Sequence, residues 1–232
     1  MKSLLGDLTR VYIEVGRKKV FAGATEWPGW CRTGDDEDSA LEALLEIAPR
    51  YATVMQAAQI DFKAPPDIAG LVVVERLEGN ATTDFGAPNI PPSSDSRPVS
   101  EDEYLRLQSI MMACWQALDT ALISASGKDL RRGPRGEGRD LMSIVEHVVN
   151  SDASDLARLA WRYRVQNPQD PVEELGPLRQ AILNALARAA LGEVTGVSRW
   201  SGDLWTPRRF VRNLAWHTLD HTWEIEDRLP QA

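Results

Sequence analysis

Thr206-Pro-Arg-Arg-Phe-Val-Arg-Asn-Leu-Ala-Trp-His-Thr-Leu-Asp-His-Thr-Trp-Glu-Ile-Glu-Asp-Arg-Leu229 reads as one long helix. Threonine followed by proline is an N-cap followed by proline at the first helical position, and Pro230 closes the far end. Inside it, His217 and His221 stand at i and i+4, on one face and about one turn apart. That spacing lets both imidazoles reach a single metal ion. With His217 at zero and about 100° per residue, His221 falls at about +40°, Glu224 at about −20°, Asn213 at about −40° and Asp220 at about −60°. Arg208 and Glu226 fall at about 180° and Arg212 at about −140° on the same wheel. The pattern predicts a charged outward face and a histidine face turned inward.

The remaining histidine, His147, belongs to a separate helical stretch. Its imidazole, added to the other two, makes a three-nitrogen site with coordination positions left open, the mark of a reactive rather than a structural metal site. Glu224 and Asp220 are candidates to hold the second imidazole nitrogens, or to accept a proton. The apolar residues Leu141, Val145, Val148 and Leu159 centre about 120° from His147, so this ring is expected at the edge of its apolar stripe, with Ser143, Ser151 and Ser154 on its side. The run is not the HExxH of zinc peptidases, because Thr218 stands where the glutamate would be. Nor are there the paired Glu-x-x-His sequences of a di-iron bundle.

Working outward, Ser100-Glu-Asp-Glu103 is a capping box that opens a helix to about Ala125. A Gly- and Arg-rich turn follows over 127–138. A second helix is expected from Arg139 or Asp140 to about Arg164, and a third from Pro171 to before Gly196. The fourth is the histidine helix, reached over a longer connection, 196–205. Four amphipathic helices in this order predict an antiparallel four-helix bundle over 100–232. Ahead of it, Gly86–Pro98 holds four prolines and three serines and reads as a linker, 86–99. Within residues 1–85, Val11–Val15 and Lys19–Gly23 look like short strands around a Gly16-Arg17 turn, and Leu71–Val74 is a third β-rich run. Between them a helix capped by Asp35 or Asp36 places Leu41, Leu44, Leu45 and Ala48 on one face. The order is roughly β-β-(β)-α-β, so the fold class is α+β, a small sheet-and-helix module followed by the bundle.

Composition narrows the function classes. The chain has 232 residues and a net charge of −8, without the basic stripe of a nucleic-acid binder. Its one basic cluster, Arg131-Arg132-Gly-Pro-Arg135, is short and rich in turn formers. No apolar run approaches eighteen residues, so no transmembrane helix is expected, and Met1–Arg10 is not patterned as a secretory signal. Cys31 and Cys114 lack any CxxC spacing and read as free thiols, Cys114 as a small buried apolar residue; a cytoplasmic location follows. Eight tryptophans is a high count; Trp115, Trp161, Trp216 and Trp223 are expected as core or rim packing, and Trp27-Pro28-Gly29-Trp30 as a turn with packed rings. No P-loop, GxGxxG or GxSxG sequence is present.

One histidine in the second helix and Trp216-His217-x-x-x-His221 in the fourth resemble the DinB-like superfamily, which includes mycothiol-dependent maleylpyruvate isomerases. The resemblance covers about residues 98–230. It implies that His147, His217 and His221 bind a divalent metal, nickel or zinc foremost and iron or manganese also admissible, and that a low-molecular-weight thiol serves as a co-substrate. Phe21–Gly34, with its Pro-Gly turn and Thr-Gly, followed by Asp38–Leu45, is similar to HicB-like antitoxin domains over roughly 10–78. The expected activity is therefore metal-dependent thiol transfer or hydrolysis on a small molecule. The competing expectation is a non-catalytic ligand-binding or protein-interaction module with the histidines as polar core residues. A homodimer is compatible with either half.

Overall fold

The computed structural model describes residues 8–133, 138–194 and 203–230. The chain is mixed α+β and divides into two compact units, the first extending to Arg97 and including Ser109–Ala113, the second comprising Pro98–Gln108 and the chain from Cys114 onward. Residues of the N-terminal stretch Met1–Asp7, Arg135 of the basic cluster, and 195–202 of the third helical connection lie outside the described residues.

The first unit holds β1 (Thr9–Val15), β2 (Val20–Ala24), β3 (Cys31–Gly34), α1 (Glu37–Glu46), α2 (Ala48–Ala57), β4 (Leu71–Glu78) and the short α3 (Ala81–Phe85). The sheet order is β3-β2-β1-β4; β1–β2 and β2–β3 are antiparallel and β1–β4 parallel. The parallel pair needs a long crossover, which β2, β3, α1 and α2 supply. The third strand that the sequence left open is thus formed. Its entry is a tight turn in which Trp30 N–H donates to the Trp27 carbonyl at 3.0 Å, with Gly29 at φ 89°, a conformation that favours glycine. The ring packing expected of that turn is present. Phe62 sits edge-on to Trp27, Trp30 and Tyr51, with ring centroids 4.9, 4.9 and 4.8 Å away.

The expected single helix after Asp36 is broken in two. Asp36 caps α1 and Ile47 both ends it and precedes α2. Pro49 explains the break, because it has no N–H to continue the ladder back into α1. The Pro/Ser-rich segment is also more tightly held than a linker composition suggests. The buried Glu14 carboxylate of β1 accepts the N–H groups of Asn89 (3.0 Å) and Ile90 (3.1 Å) and the Thr83 hydroxyl. Glu75 accepts both the N–H and the hydroxyl of Ser93 at 2.9 Å.

The second unit holds α4 (Glu101–Ala125) except for its Ser109–Ala113 stretch, together with α5 (Leu141–Asp155), α6 (Pro171–Ala190) and α7 (Pro207–Arg228). The Ser100 capping box and the Thr206 N-cap stand where the sequence places them. α5 packs against α6 and α7, burying Ile144, Val145, Val148 and Val149 with Leu178, Ile182, Val211 and Leu214. The end of α5 differs from expectation twice, in where the helix stops and in the loop that follows it. α5 stops at Asp155, passes through a single 3-10 turn (Leu156–Leu159) and ends at Ala160 with φ 53°. Its closing residues, Asn150-Ser-Asp-Ala-Ser-Asp155, are types that compete for backbone hydrogen bonds and weaken helix continuation. Beyond it, the buried Glu174 of α6 collects the N–H groups of Gln166 and Asn167 and the Tyr163 hydroxyl, so residues up to 167 serve as a loop pinned to α6. α6 ends at Ala190, and Gly192 turns the chain at φ 71°.

A third difference concerns α7. Its expected outward face is buried, Arg208 and Arg212 being 6% and 8% exposed, and only Glu226 of that set is exposed. Arg208 is accommodated because Glu103 of α4 pairs with its guanidinium. α4 and α6 are joined by a two-toothed pair, Arg179 to Asp119, at 2.8 Å for both bonds.

Glu14→Ala should strand three donors. The expected cost is roughly 3 kcal/mol in chemical denaturation, with loss of hydrogen-exchange protection at the Asn89 and Ile90 amides. Unchanged protection at those amides would refute the clamp.

Candidate metal centre

α5 presents His147, and α7 presents His217 and His221 one turn apart, which is the geometry the i, i+4 spacing dictates. The three rings meet. Their centroids lie 5.1 Å (His147–His217), 4.9 Å (His147–His221) and 4.7 Å (His217–His221) apart, each pair close to perpendicular or steeply inclined. One nitrogen from each ring lies within 4.8 Å of the other two. Nε2 of His147 and Nε2 of His217 are 3.3 Å apart. Two nitrogens bound to one zinc at about 2.0–2.1 Å and a tetrahedral angle stand about 3.3–3.4 Å apart. That one separation matches the spacing of two nitrogens on a single small divalent ion.

The surroundings fix which nitrogens face inward. His221 Nδ1 lies 2.8 Å from Glu224 Oε2, which leaves Nε2 for the cluster. Glu224 is itself held by Arg228 Nη1 at 2.6 Å. The His221 hydrogen bond holds the Glu224 carboxyl below the ordinary glutamate range, outweighing the upward push of burial, and Arg228 adds to the same effect. Arg228 also donates from Nε to the Arg131 carbonyl (2.7 Å) and from Nη2 to the Arg139 carbonyl (2.6 Å). The basic cluster, short and rich in turn formers, is thus anchored through exposed Arg131 to the end of α7.

Of the two acids singled out in the sequence, Glu224 reaches a ring and Asp220 does not. Asp220 is half-buried on α7 and makes no hydrogen bond to any of the three histidines. The second nitrogen of His217 faces Asp152 of α5 instead, Nδ1 to Oδ1 at 3.5 Å. Asp152 escaped the sequence reading, although a signal existed. It follows Val145, Val148 and Val149 by seven, four and three residues and so lies on the core stripe of α5, where an acid is out of place unless it has a task. One turn on, Asp155 accepts a hydrogen bond from Asn213 of α7 at 2.8 Å. Burial, with the Asp152 carboxylate adding to it, pushes the Asp155 carboxyl up to about 6, against the pull of His217 and Asn213.

His147 keeps the edge position expected of it and is partly exposed, while His217 and His221 are buried. Burial, followed by the neighbouring His221 and His217, pushes the His147 imidazole down to about 4. The ring is neutral at neutral pH, with a lone pair available, as a metal ligand requires. Trp216 packs beside His217 at 5.8 Å between ring centroids, and Trp223 is buried, consistent with packing roles. Trp115 and Trp161 lie under the Arg179 and Arg188 guanidinium groups at 5.4 and 5.9 Å. Cys114 is fully buried, and Cys31 is buried as well. No helix among the described residues is long and apolar enough to cross a membrane.

Compared with family models, with curated proteins and with solved structures, the chain matches none.

Asp155 gives a pH signature. Its folded pKa of about 6 lies above the ordinary aspartate value of 3.8, so the folded state holds a proton that the unfolded chain releases. Stability tied to this group is therefore present at low pH and lost as pH rises through that window. Asp155→Asn should raise stability by on the order of 2 kcal/mol at pH 7.5 and by nothing measurable at pH 3.5. Thermal unfolding at the two pH values checks this; equal shifts at both would contradict it.

Proposed function

We propose that the second unit is a DinB-like antiparallel four-helix bundle built around a mononuclear three-histidine metal site, and that the protein is a metal-dependent thiol transferase or hydrolase acting on a small molecule. The observation that carries the reading is the convergence of one nitrogen each from His147, His217 and His221, with 3.3 Å between two of them. An all-imidazole set suits nickel and zinc, and also iron and manganese. The first unit, with its Pro-Gly turn leading into β3 and α1, is read as the HicB-like module.

A divalent ion held by His147, His217 and His221 would supply Lewis acidity toward a water, a low-molecular-weight thiol or an electrophile. The chain's own residues do the rest. Three imidazole ligands leave coordination positions open. His147, the partly exposed ring, marks the side from which a small substrate approaches. Glu224 accepts the Nδ1 proton of His221 and is tied to Arg228, so its main work is to fix the ring and its tautomer. A proton-acceptor role for Glu224 would compete with both of those bonds. Asp220, clear of the rings, is available only to a substrate that extends along α7.

The 3.3 Å approach of two Nε2 atoms also suits a ring-to-ring hydrogen bond. That supports the second reading, a non-catalytic ligand-binding or interaction module with the histidines as polar core residues.

The two readings part on one experiment. Zinc or nickel added at a hundredfold excess over its Kd should stabilise the full chain by about 2.7 kcal/mol, seen as a rise in Tm. His217→Gln should abolish that rise, and with it any turnover in a panel of thiol and ester substrates. A His217→Gln protein that keeps the same metal-dependent rise would contradict the metal reading. A stability change in His217→Gln without any metal response in the parent would favour the second.

A further inference from the structure

We propose that Asp152 is the positioning residue of the three-histidine site: it accepts the Nδ1 proton of His217 and so commits that ring's Nε2 to the shared ligand. The inference rests on the metal-binding reading above and deepens it by assigning a residue that the sequence did not suggest.

Asp152 lies within the helical part of α5, with its side chain 5% exposed. Its carboxylate makes no hydrogen bond among the described residues, and His217 Nδ1, 3.5 Å away, is a buried nitrogen that likewise has no hydrogen-bond partner. A buried carboxylate without hydrogen bonds costs the fold free energy and returns nothing to it. Glu14 and Glu174 show the contrast, each buried and each bonded to two backbone N–H groups and a hydroxyl. Those acids hold loops. Asp152 holds none; its carboxylate lies 3.5 Å from the imidazole of His217, with Asp155 as its charged neighbour on the same helix.

The chemistry of that imidazole supplies the task. A neutral ring has one N–H and one lone pair. If His217 Nε2 is to bind an ion, the proton must sit on Nδ1, and Asp152 Oδ1 is the acceptor that faces it. The separation of 3.5 Å is too long for a full hydrogen bond. A small rotation of the ring closes it, and drawing Nε2 onto an ion supplies that rotation. His221 has the same arrangement already closed, with Glu224 at 2.8 Å. Each α7 histidine then has its own carboxylate, Glu224 from the same helix and Asp152 from α5. Asp155, bonded to Asn213, lies one turn further along and does not substitute for Asp152.

The test uses the full chain and zinc alone as the probe. Zinc affinity is measured at pH 7.5 by competition with a chromophoric chelator for the parent, Asp152→Asn and Asp152→Leu. Asparagine keeps an acceptor and loses the charge, while leucine loses both. Asp152→Leu is expected to bind zinc roughly 10- to 100-fold more weakly than the parent, with Asp152→Asn between them. Nitrogen-15 spectra of the metal-free imidazoles should place the His217 proton on Nδ1 in the parent and lose that preference in Asp152→Leu. The metal-free Tm of Asp152→Leu should equal or exceed that of the parent. Equal zinc affinities with an unchanged tautomer would overturn the inference and leave the metal site standing. Weaker binding accompanied by a matching fall in metal-free Tm in both variants would also overturn it, as a purely structural role. A parent that binds no zinc would remove the zinc site itself, and this role with it.

Discussion

α7 is buried on nearly every side while carrying arginines, histidines and threonines, and that constraint organises the second unit. Arg208, Arg212, His217, Thr218, His221, Thr222 and Arg228 are all buried on this one helix. Polar groups taken out of water must be partnered, and the surrounding elements are arranged to do so. Glu103 of α4 meets Arg208, Glu224 and two loop carbonyls meet Arg228, and the Thr222 hydroxyl returns to the Thr218 carbonyl at 2.7 Å. The scheme is incomplete at three buried atoms of this helix, Arg208 Nε, Thr218 Oγ1 and His217 Nδ1, the last on the histidine face. His221 has Glu224, but the three inward nitrogens have chiefly one another. An ion at their meeting point would satisfy all three at once.

The first unit solves a related problem with backbone rather than with a ligand. Glu14 projects from the middle of the sheet and gathers donors from a proline-rich segment that has no regular ladder of its own. Glu174 does the same for the loop between α5 and α6. In both places one buried carboxylate replaces the hydrogen bonds that irregular chain would otherwise take from water. These clamps account for the compactness of segments whose composition alone suggests freedom.

The parts legible in the sequence were those governed by local rules. Thr206-Pro207 and Ser100–Glu103 set helix starts because capping is decided within one turn. His217 and His221 share a face because helix periodicity requires it, and Val11–Val15 forms a strand because its pattern is short-range. What lay beyond reach depends on tertiary partners. The burial of Arg208 and Arg212 could not be read from a helical wheel, since it depends on what the other helices offer. The same holds for the linker composition, which says nothing of Glu14. Pro49 was a local signal for the α1–α2 break, and the Asn150–Asp155 run was one for the end of α5. Asp152 was half legible: its position on an apolar stripe marks it, but its partner His217 comes from another helix.

The central claim is that three Nε2 atoms share one metal ion. The most direct measurement is anomalous diffraction, at the absorption edges of nickel and zinc, from crystals of protein purified without chelators. The account predicts one anomalous peak about 2.0–2.2 Å from Nε2 of each of His147, His217 and His221, absent from crystals of His147→Ala. No peak after soaking with either metal, with His147 and His217 still hydrogen-bonded ring to ring, would contradict it.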